Sequence, residues 1–343
     1  MNEQKVRTGI LTGGTWCADH NRLIERWPEE DALAQILSED VRGGGSACNL
    51  AIDIKRLDPE LPVATIGLVG DDEDGKFLIE QAKAEGLDCS RLAVSAKRRT
   101  TFTDAYTSDE SARRTHLFHA GVGQLLSPDH FDFGSTDARI FHLGLPGLHE
   151  TMDGPWQGDP NGWVTVLKRA QTAGLLTNLE LCSLPADRLC ELVVPCLDQL
   201  NYLIVNDFEI AALAGQPRDH AEKTDPEDCI AHAQHILQSS PIELAIVHFP
   251  SGAIAVSNQG SVERCPSVNV PESEVVGTNG AGDAFAAGAI YGIHQNWSLP
   301  DTLKLGHATA AASIRHIGTT DSVVGWSECL ELASQFGWRD ELT

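Results

Sequence analysis

Val276–Gly277–Thr278–Asn279–Gly280–Ala281–Gly282–Asp283–Ala284–Phe285–Ala286–Ala287–Gly288 is the strongest local signal in the 343-residue chain. Three tiny residues, Gly280 to Gly282, precede small apolar residues that suit a helix packed tightly on a sheet. A helix N-terminus exposes N–H groups without internal partners, and its dipole favours negative charge. With no bulky side chain in the way, a phosphate can approach those amides closely. Asp283 falls in the first helical turn, within reach of the same anion. A carboxylate there repels a phosphate unless a hydroxyl lies between them. It then accepts the hydroxyl proton, while the amides stabilise charge on the transferred phosphoryl group. The helix dipole is expected to keep Asp283 ionised and weakly basic, which a loose transition state tolerates. The plainer reading is a capped helix, because Asp is common in first turns and glycines mark any tight loop.

Upstream, short β-branched runs alternate with longer helical stretches. Pro62–Val69, Arg139–Gly144, Leu175–Leu181, Asn201–Val205 and Glu243–His248 read as strands. Ala47–Leu57, Asp74–Glu85, Trp163–Ala173, Ala186–Leu200, Pro226–Leu237 and Leu303–His316 read as helices. This order predicts an α/β fold whose mostly parallel sheet is covered on both faces. Two stretches, roughly residues 15–45 and 97–122, break the rhythm with short polar–apolar alternations such as Thr100–Tyr106. They predict a small β-sheet lid inserted in a single domain over residues 1–343; long hairpin loops are the plainer alternative.

The C-terminal stretch resembles the second signature of the ribokinase-like, or PfkB, carbohydrate kinases, D-T-x-G-A-G-D-x-F-x-x-G. Thr278, Gly280, Ala281, Gly282, Asp283, Phe285 and Gly288 match it. The resemblance implies a three-layer α/β/α fold, Asp283 as catalytic base and Gly280–Gly282 as anion hole. It also implies ATP as phosphoryl donor, with Thr278, Gly280 and Gly282 beside it. The family's leading Asp is Gly277 here, which removes an acid near a monovalent-cation site and leaves that cation in doubt.

Arg42–Ala51 precedes a helix with Leu50, Ile54 and Leu57 on one face, and is similar to the first signature, G-G-x-x-x-N-x-A. The resemblance assigns sugar hydroxyl contacts to Gly44, Gly45 and Asn49. It places Asp19, in the segment Gly14–His20, on the same substrate; a carboxylate can accept two hydrogen bonds from neighbouring hydroxyls. His20 reads as structural. Gly13–Gly14 does not continue as G-x-G-x-x-G, so a dinucleotide fingerprint is weak. Asn206 and Glu209 match N-x-x-E, which the resemblance associates with Mg2+ and phosphate; first-turn acids on a helix are the plainer reading. Val247–Ala253 aligns with a nucleotide loop, T-x-G-x-x-G, retaining Gly252, with His248 and Pro250 as departures.

The net charge of −24, from 49 acidic and 25 basic residues, argues against a nucleic-acid partner and fits solubility. No apolar run is long enough to span a membrane, and Met1–Thr8 is polar, so a soluble cytoplasmic protein is expected. Nine cysteines without a C-x-x-C pair predict buried thiols in a reducing compartment. Strand exchange between lids in the family implies a homodimer.

For the acceptor, a small sugar-like molecule leads. A nucleoside would need a stacking surface, for which Trp16 and Phe102 are candidates that also suit the lid's core. A sugar phosphate would use Lys97, Arg98, Arg99, Arg113 and Arg114, whose plainer role is a solvated patch. A catalytically silent sensor fits the departures at Gly277, His248 and Pro250, but not the retention of Asp283 and its glycines.

Overall fold

The computed structural model describes residues 7–111, 113–134, 136–218, 223–316 and 318–342. Most of the polar Met1–Thr8 stretch lies outside them. The strands in chain order are β1 (Ile10–Gly14), β2 (Cys17–Ile24), β3 (Ile36–Gly44), β4 (Val63–Gly70), β5 (Asp88–Ser95), β6 (Phe102–Ser108) and β7 (Arg114–His119). They continue with β8 (Ile140–Gly144), β9 (Leu176–Leu179), β10 (Tyr202–Asn206), β11 (Leu244–Phe249), β12 (Gly252–Ser257) and β13 (Val262–Pro266). The helices are α1 (Ser46–Leu57), α2 (Glu73–Ala84), α3 (Glu150–Asp153), α4 (Gly162–Thr172) and α5 (Ala186–Val193). After them come α6 (Asp207–Leu213), α7 (Pro226–Ser239), α8 (Ala281–His294), α9 (Leu299–Ser313) and α10 (Trp326–Phe336).

Nine strands form one sheet in the order β13-β12-β11-β10-β9-β8-β1-β4-β5. Every pairing is parallel except the two that join β12 to β11 and β13. Buried on both faces, β10 and β11 carry continuous apolar runs, Leu203–Val205 and Ala245–Val247, rather than alternating ones. One face packs under α1, α2, α8, α9 and α10 around Trp16, Leu50, Phe285 and Leu305. The other packs under α4, α5, α6 and α7 around Phe141, Trp163, Leu189 and Ile210. The result is the three-layer α/β/α arrangement expected from the alternation.

A second sheet, β3-β2-β6-β7, stands apart and forms the lid. The chain leaves β1 at Gly14 and enters β2 three residues later, so the lid rises from the carboxyl end of the main sheet. Ligands in parallel α/β sheets bind at that end. It also carries the residues that follow β9 and β10.

One local reading changes. Ala186–Leu200 is not one helix: α5 stops at Val193 and a 3-10 turn covers Val194–Gln199. Pro195 lacks the N–H that a continuing α-helix would use. Asp19 lies on lid strand β2, within the stretch expected to form the lid.

Helices α8 and α9 pack closely because their facing residues are small. A Cβ at Gly288 would sit 2.7 Å from the Leu305 carbonyl oxygen and 2.9 Å from Gly306 Cα. Gly288→Val should therefore cost about 1–3 kcal/mol through overpacking. Urea denaturation checks this; an unchanged midpoint contradicts the close contact.

Candidate active site

The start of α8 is set by one backbone conformation. Gly280 is left-handed, with φ +79°, a region that favours glycine. A Cβ there would also lie 2.7 Å from Thr319 Cβ. Upstream, the N–H groups of Val276 and Gly277 both donate to the Ile314 carbonyl, at 2.9 and 3.2 Å, tying the glycine loop to the end of α9. The first-turn amides of Ala281, Gly282 and Asp283 then head a fourteen-residue helix, where such N–H groups have no intrahelical acceptor; that of Ala281 donates at 3.3 Å to the Thr278 carbonyl in the loop.

Asp283 is partly buried and held on two sides. Asn49 Nδ2, from α1, donates to its Oδ2 at 2.6 Å, and Thr319 Oγ1 fixes the amide by donating to Asn49 Oδ1 at 2.9 Å. On the other side a hydrogen bond joins it to Glu180, the residue after β9. Glu180 Oε2 in turn accepts from His142 Nε2 on β8 at 2.5 Å. The fully buried His142 ring accepts at Nδ1 from Asn178 Nδ2 at 2.9 Å.

Burial, then the charge of Glu180, pushes the Asp283 carboxyl well above the usual carboxylate range. This corrects the expectation that the helix dipole keeps it weakly basic. Burial likewise raises Glu180 to about 7 and lowers His142 to about 4, leaving the imidazole neutral at physiological pH. Neither residue had been singled out in the sequence. Their only traces were an acid inside the apolar run Leu175–Leu181 and a His inside Arg139–Gly144.

The N-terminal residues converge on the same place. Gly45, with φ +88°, is the N-cap of α1, one turn before Asn49. Asp19 lies against Gly44, where a Cβ would meet its Oδ2 at 2.2 Å. Burial raises the Asp19 carboxyl to about 6, against the lowering effects of the Cys17 thiol and the Arg114 guanidinium; the charge of Asp283 adds to the rise. One turn further along α1, Asp53 is fully buried and neither of its oxygens has a hydrogen-bond partner. Burial and Asp283 push its carboxyl far upward.

Behind the α8 N-terminus lies a largely apolar cavity of about 480 Å³. Thr278 and Gly282 border it at one end, and His248, Phe285, His307 and Val268 form its walls. Asn206 reaches it too. Gly252 does not line it; a Cβ there would lie 2.5 Å from the Cys265 carbonyl oxygen, so packing accounts for that glycine. His248 and His307 are driven down by burial, to about 4 and about 3, so both walls are neutral. His307 Nε2 is buried without a hydrogen-bond partner.

Asn206 and Glu209 form a reciprocal helix cap. Asn206 Oδ1 accepts from the N–H groups of Phe208 and Glu209, and Glu209 Oε2 accepts from the Asn206 N–H at 2.9 Å. The plainer reading of N-x-x-E is thus realised, and it uses one oxygen of each side chain. Among the described residues no group of three or more His, Cys, Asp or Glu could hold a metal. Magnesium keeps most of its waters, so a single buried carboxylate plus phosphate oxygens still fits it.

Other candidates resolve into structure. Trp16 is buried, and its indole N–H donates to Thr65 Oγ1 at 3.0 Å. His20 pairs with Asp74 at 3.1 Å. Phe102 stacks on His119 at 4.8 Å between ring centroids. Of the basic cluster, Arg114 is half-buried and acts on Asp19, whereas Arg99 pairs loosely with Asp74 at 3.7 Å. All nine cysteines are free thiols. No helix among the described residues is long and apolar enough to cross a membrane.

Residues 14–324 match the model of the pfkB family carbohydrate kinases. The ATP-dependent ribose-1-phosphate kinase of Halopiger xanaduensis is 27% identical over 82% of this chain and 83% of its own. The adenosine kinase of Saccharomyces cerevisiae is 26% identical over 84% of this chain and 82% of its own. Among solved structures, Arabidopsis thaliana ribokinase complexed with ribose and ATP superposes with a TM-score of 0.75 at 20% identity, covering 95% and 99% of the two chains. The family model and these named kinases make the chain a small-molecule phosphotransferase. The chain belongs to the pfkB family of carbohydrate kinases.

Proposed function

We propose that the chain transfers the γ-phosphoryl group of ATP to a hydroxyl of a sugar or sugar-like molecule, with Asp283 as the base. The observation that carries this reading is the 2.6 Å hydrogen bond from Asn49 to Asp283, which joins the hydroxyl-binding motif to the anion-binding helix. In this reading Asp19, Asn49 and the backbone at Gly44 and Gly45 bind the acceptor. The apolar cavity between His248, Phe285 and His307 takes the nucleoside end of ATP, with Thr278 and Gly282 towards its phosphates.

Asp283 then lies where it can take the hydroxyl proton as the oxygen attacks phosphorus. The amides of Ala281, Gly282 and Asp283 stabilise charge on the phosphoryl oxygens. Magnesium, held near Glu209 and Asn206, would neutralise charge on the phosphates. A lid closing over the site excludes water as a competing acceptor. The carboxylates around the acceptor site favour a neutral polyol over an acidic sugar. Trp16, engaged with Thr65 in the core, gives a nucleoside no stacking surface.

The lid also supports a homodimer. Leu33, Leu37, Leu117 and Phe118 are all exposed on or beside its edge strands, more apolar surface than an isolated small sheet needs. A second copy of this chain is the proposed occupant.

Three outcomes test the reading. Asp283→Asn should keep acceptor and ATP binding but lose roughly 10²–10⁴-fold in kcat, the range for a general base. ADP release across a panel of sugars, sugar acids and nucleosides measures it; near-normal kcat refutes the base. Asp19 must be ionised to accept hydroxyl hydrogen bonds, and its folded value is about 6. Acceptor KM should therefore rise as pH falls through about 6, with ATP affinity flat, and the step should vanish in Asp19→Asn. A double change, Leu117→Asp with Phe118→Lys, should convert a dimer to monomer by light scattering; unchanged mass places the interface elsewhere.

A further inference from the structure

Glu180 and His142 belong to none of the motifs that carry the site, yet they complete its floor. Glu180 joins the base through one hydrogen bond and His142 through another, the latter at 2.5 Å. Asn178 orients the imidazole from behind at 2.9 Å, so that its Nδ1 accepts and its Nε2–H points at Glu180. His142 from β8, Asn178 from β9 and Glu180 just after β9 thus aim one carboxyl group at another.

Two carboxyl groups can hydrogen-bond to each other only when a proton lies between them, because two anions at that distance repel. We propose that Glu180, held by His142, is a positioning residue for Asp283, and that this carboxyl pair shares one proton and together receives the proton of the acceptor hydroxyl. The proposal rests on the reading of Asp283 as base. In the resting site the pair holds one proton and one negative charge. As the acceptor oxygen bonds to phosphorus, the β–γ P–O bond breaks and its electron pair leaves on ADP. The hydroxyl proton passes to the pair, which then holds two protons and no charge, and one proton is later lost to solvent. Until then the neutral pair no longer repels the phosphorylated product.

The surroundings favour the shared proton. The ionisable groups that face the pair are Asp19 from β2, Asp53 from α1, Glu209 from α6 and His142 from β8. His142 is neutral, and the three carboxyl groups all oppose a second negative charge. The nearest cations act on others: Arg56 lowers Asp53, and Arg114 lowers Asp19. Burial of Glu180 sets its ionisation at about 7, so the pair should lose its shared proton only above neutrality. Two groups coupled this closely titrate as a unit.

Carboxyl ¹³C NMR of the unliganded protein tests this first. The wild type should show a coupled Asp–Glu titration with one step near 7, and Glu180→Gln should leave Asp283 titrating lower, because the neighbouring charge is gone. All carboxyls of the wild type titrating below about 5 would overturn the proposal, whether or not the variant folds.

The kinetic counterpart is the pH profile of kcat/KM with saturating Mg·ATP and the best acceptor of the panel. Its acid limb, where the one-proton pair takes up a second proton, should move upward in Glu180→Gln, and in His142→Gln by less, with melting temperatures near the wild type's. Superimposable limbs defeat the pair even if kcat falls. An active Asp283→Asn defeats the base itself, which is a separate failure. A purely structural Glu180 would lower stability without moving the limb.

Discussion

The left-handed turn at Gly280 is the constraint on which the site depends. It lets the loop that is tied to the end of α9 pass under Thr319 and enter α8 with three small residues leading. Only then do the first-turn amides and Asp283 point the same way. Thr319 serves both halves of the site, since it covers Gly280 and also holds the Asn49 amide that donates to Asp283. A shift of α8 by one residue would separate the first-turn amides from the carboxyl that Asn49 holds, and the close seam of Gly288 against α9 resists such a shift.

Electrostatics gives the site its second character. A chain of net charge −24 concentrates acids around the site proposed for an anionic nucleotide. The conflict is resolved locally, by helix amides on one side and by burial on the other. Asp19, Glu180 and Glu209 are raised to between about 6 and about 7, and Asp53 and Asp283 are raised as well. Several of these groups therefore carry less than full charge near neutrality. The same burial that softens repulsion makes Asp283 a better proton acceptor than a dipole-stabilised Asp would be.

The α/β class and most central strands were legible because buried parallel strands are short unbroken apolar runs, as in Leu203–Val205 and Ala245–Val247. The antiparallel margin was not. Val247–Ala253 aligned with a nucleotide loop, although it is the end of β11, a tight hairpin and the start of β12. Asp283, Asn49 and Asp19 were legible through motifs with fixed spacing. Glu180, His142 and Asn178 were not, because they meet only through the register of β8 with β9, in which His142 is the neighbour of Asn178. Single polar residues inside apolar runs have no spacing to announce them. The basicity of Asp283 was misjudged for the same reason: its neighbour comes from a strand about a hundred residues earlier.

The central claim is that the α8 N-terminus holds the transferred phosphoryl group with Asp283 beside it. A crystal structure with a non-hydrolysable ATP analogue and magnesium tests it most directly. The account predicts the terminal phosphate on the amides of Ala281, Gly282 and Asp283, and the nucleoside in the cavity walled by His248, Phe285 and His307. A terminal phosphate bound away from those amides, or a nucleotide seated outside that cavity, would contradict it.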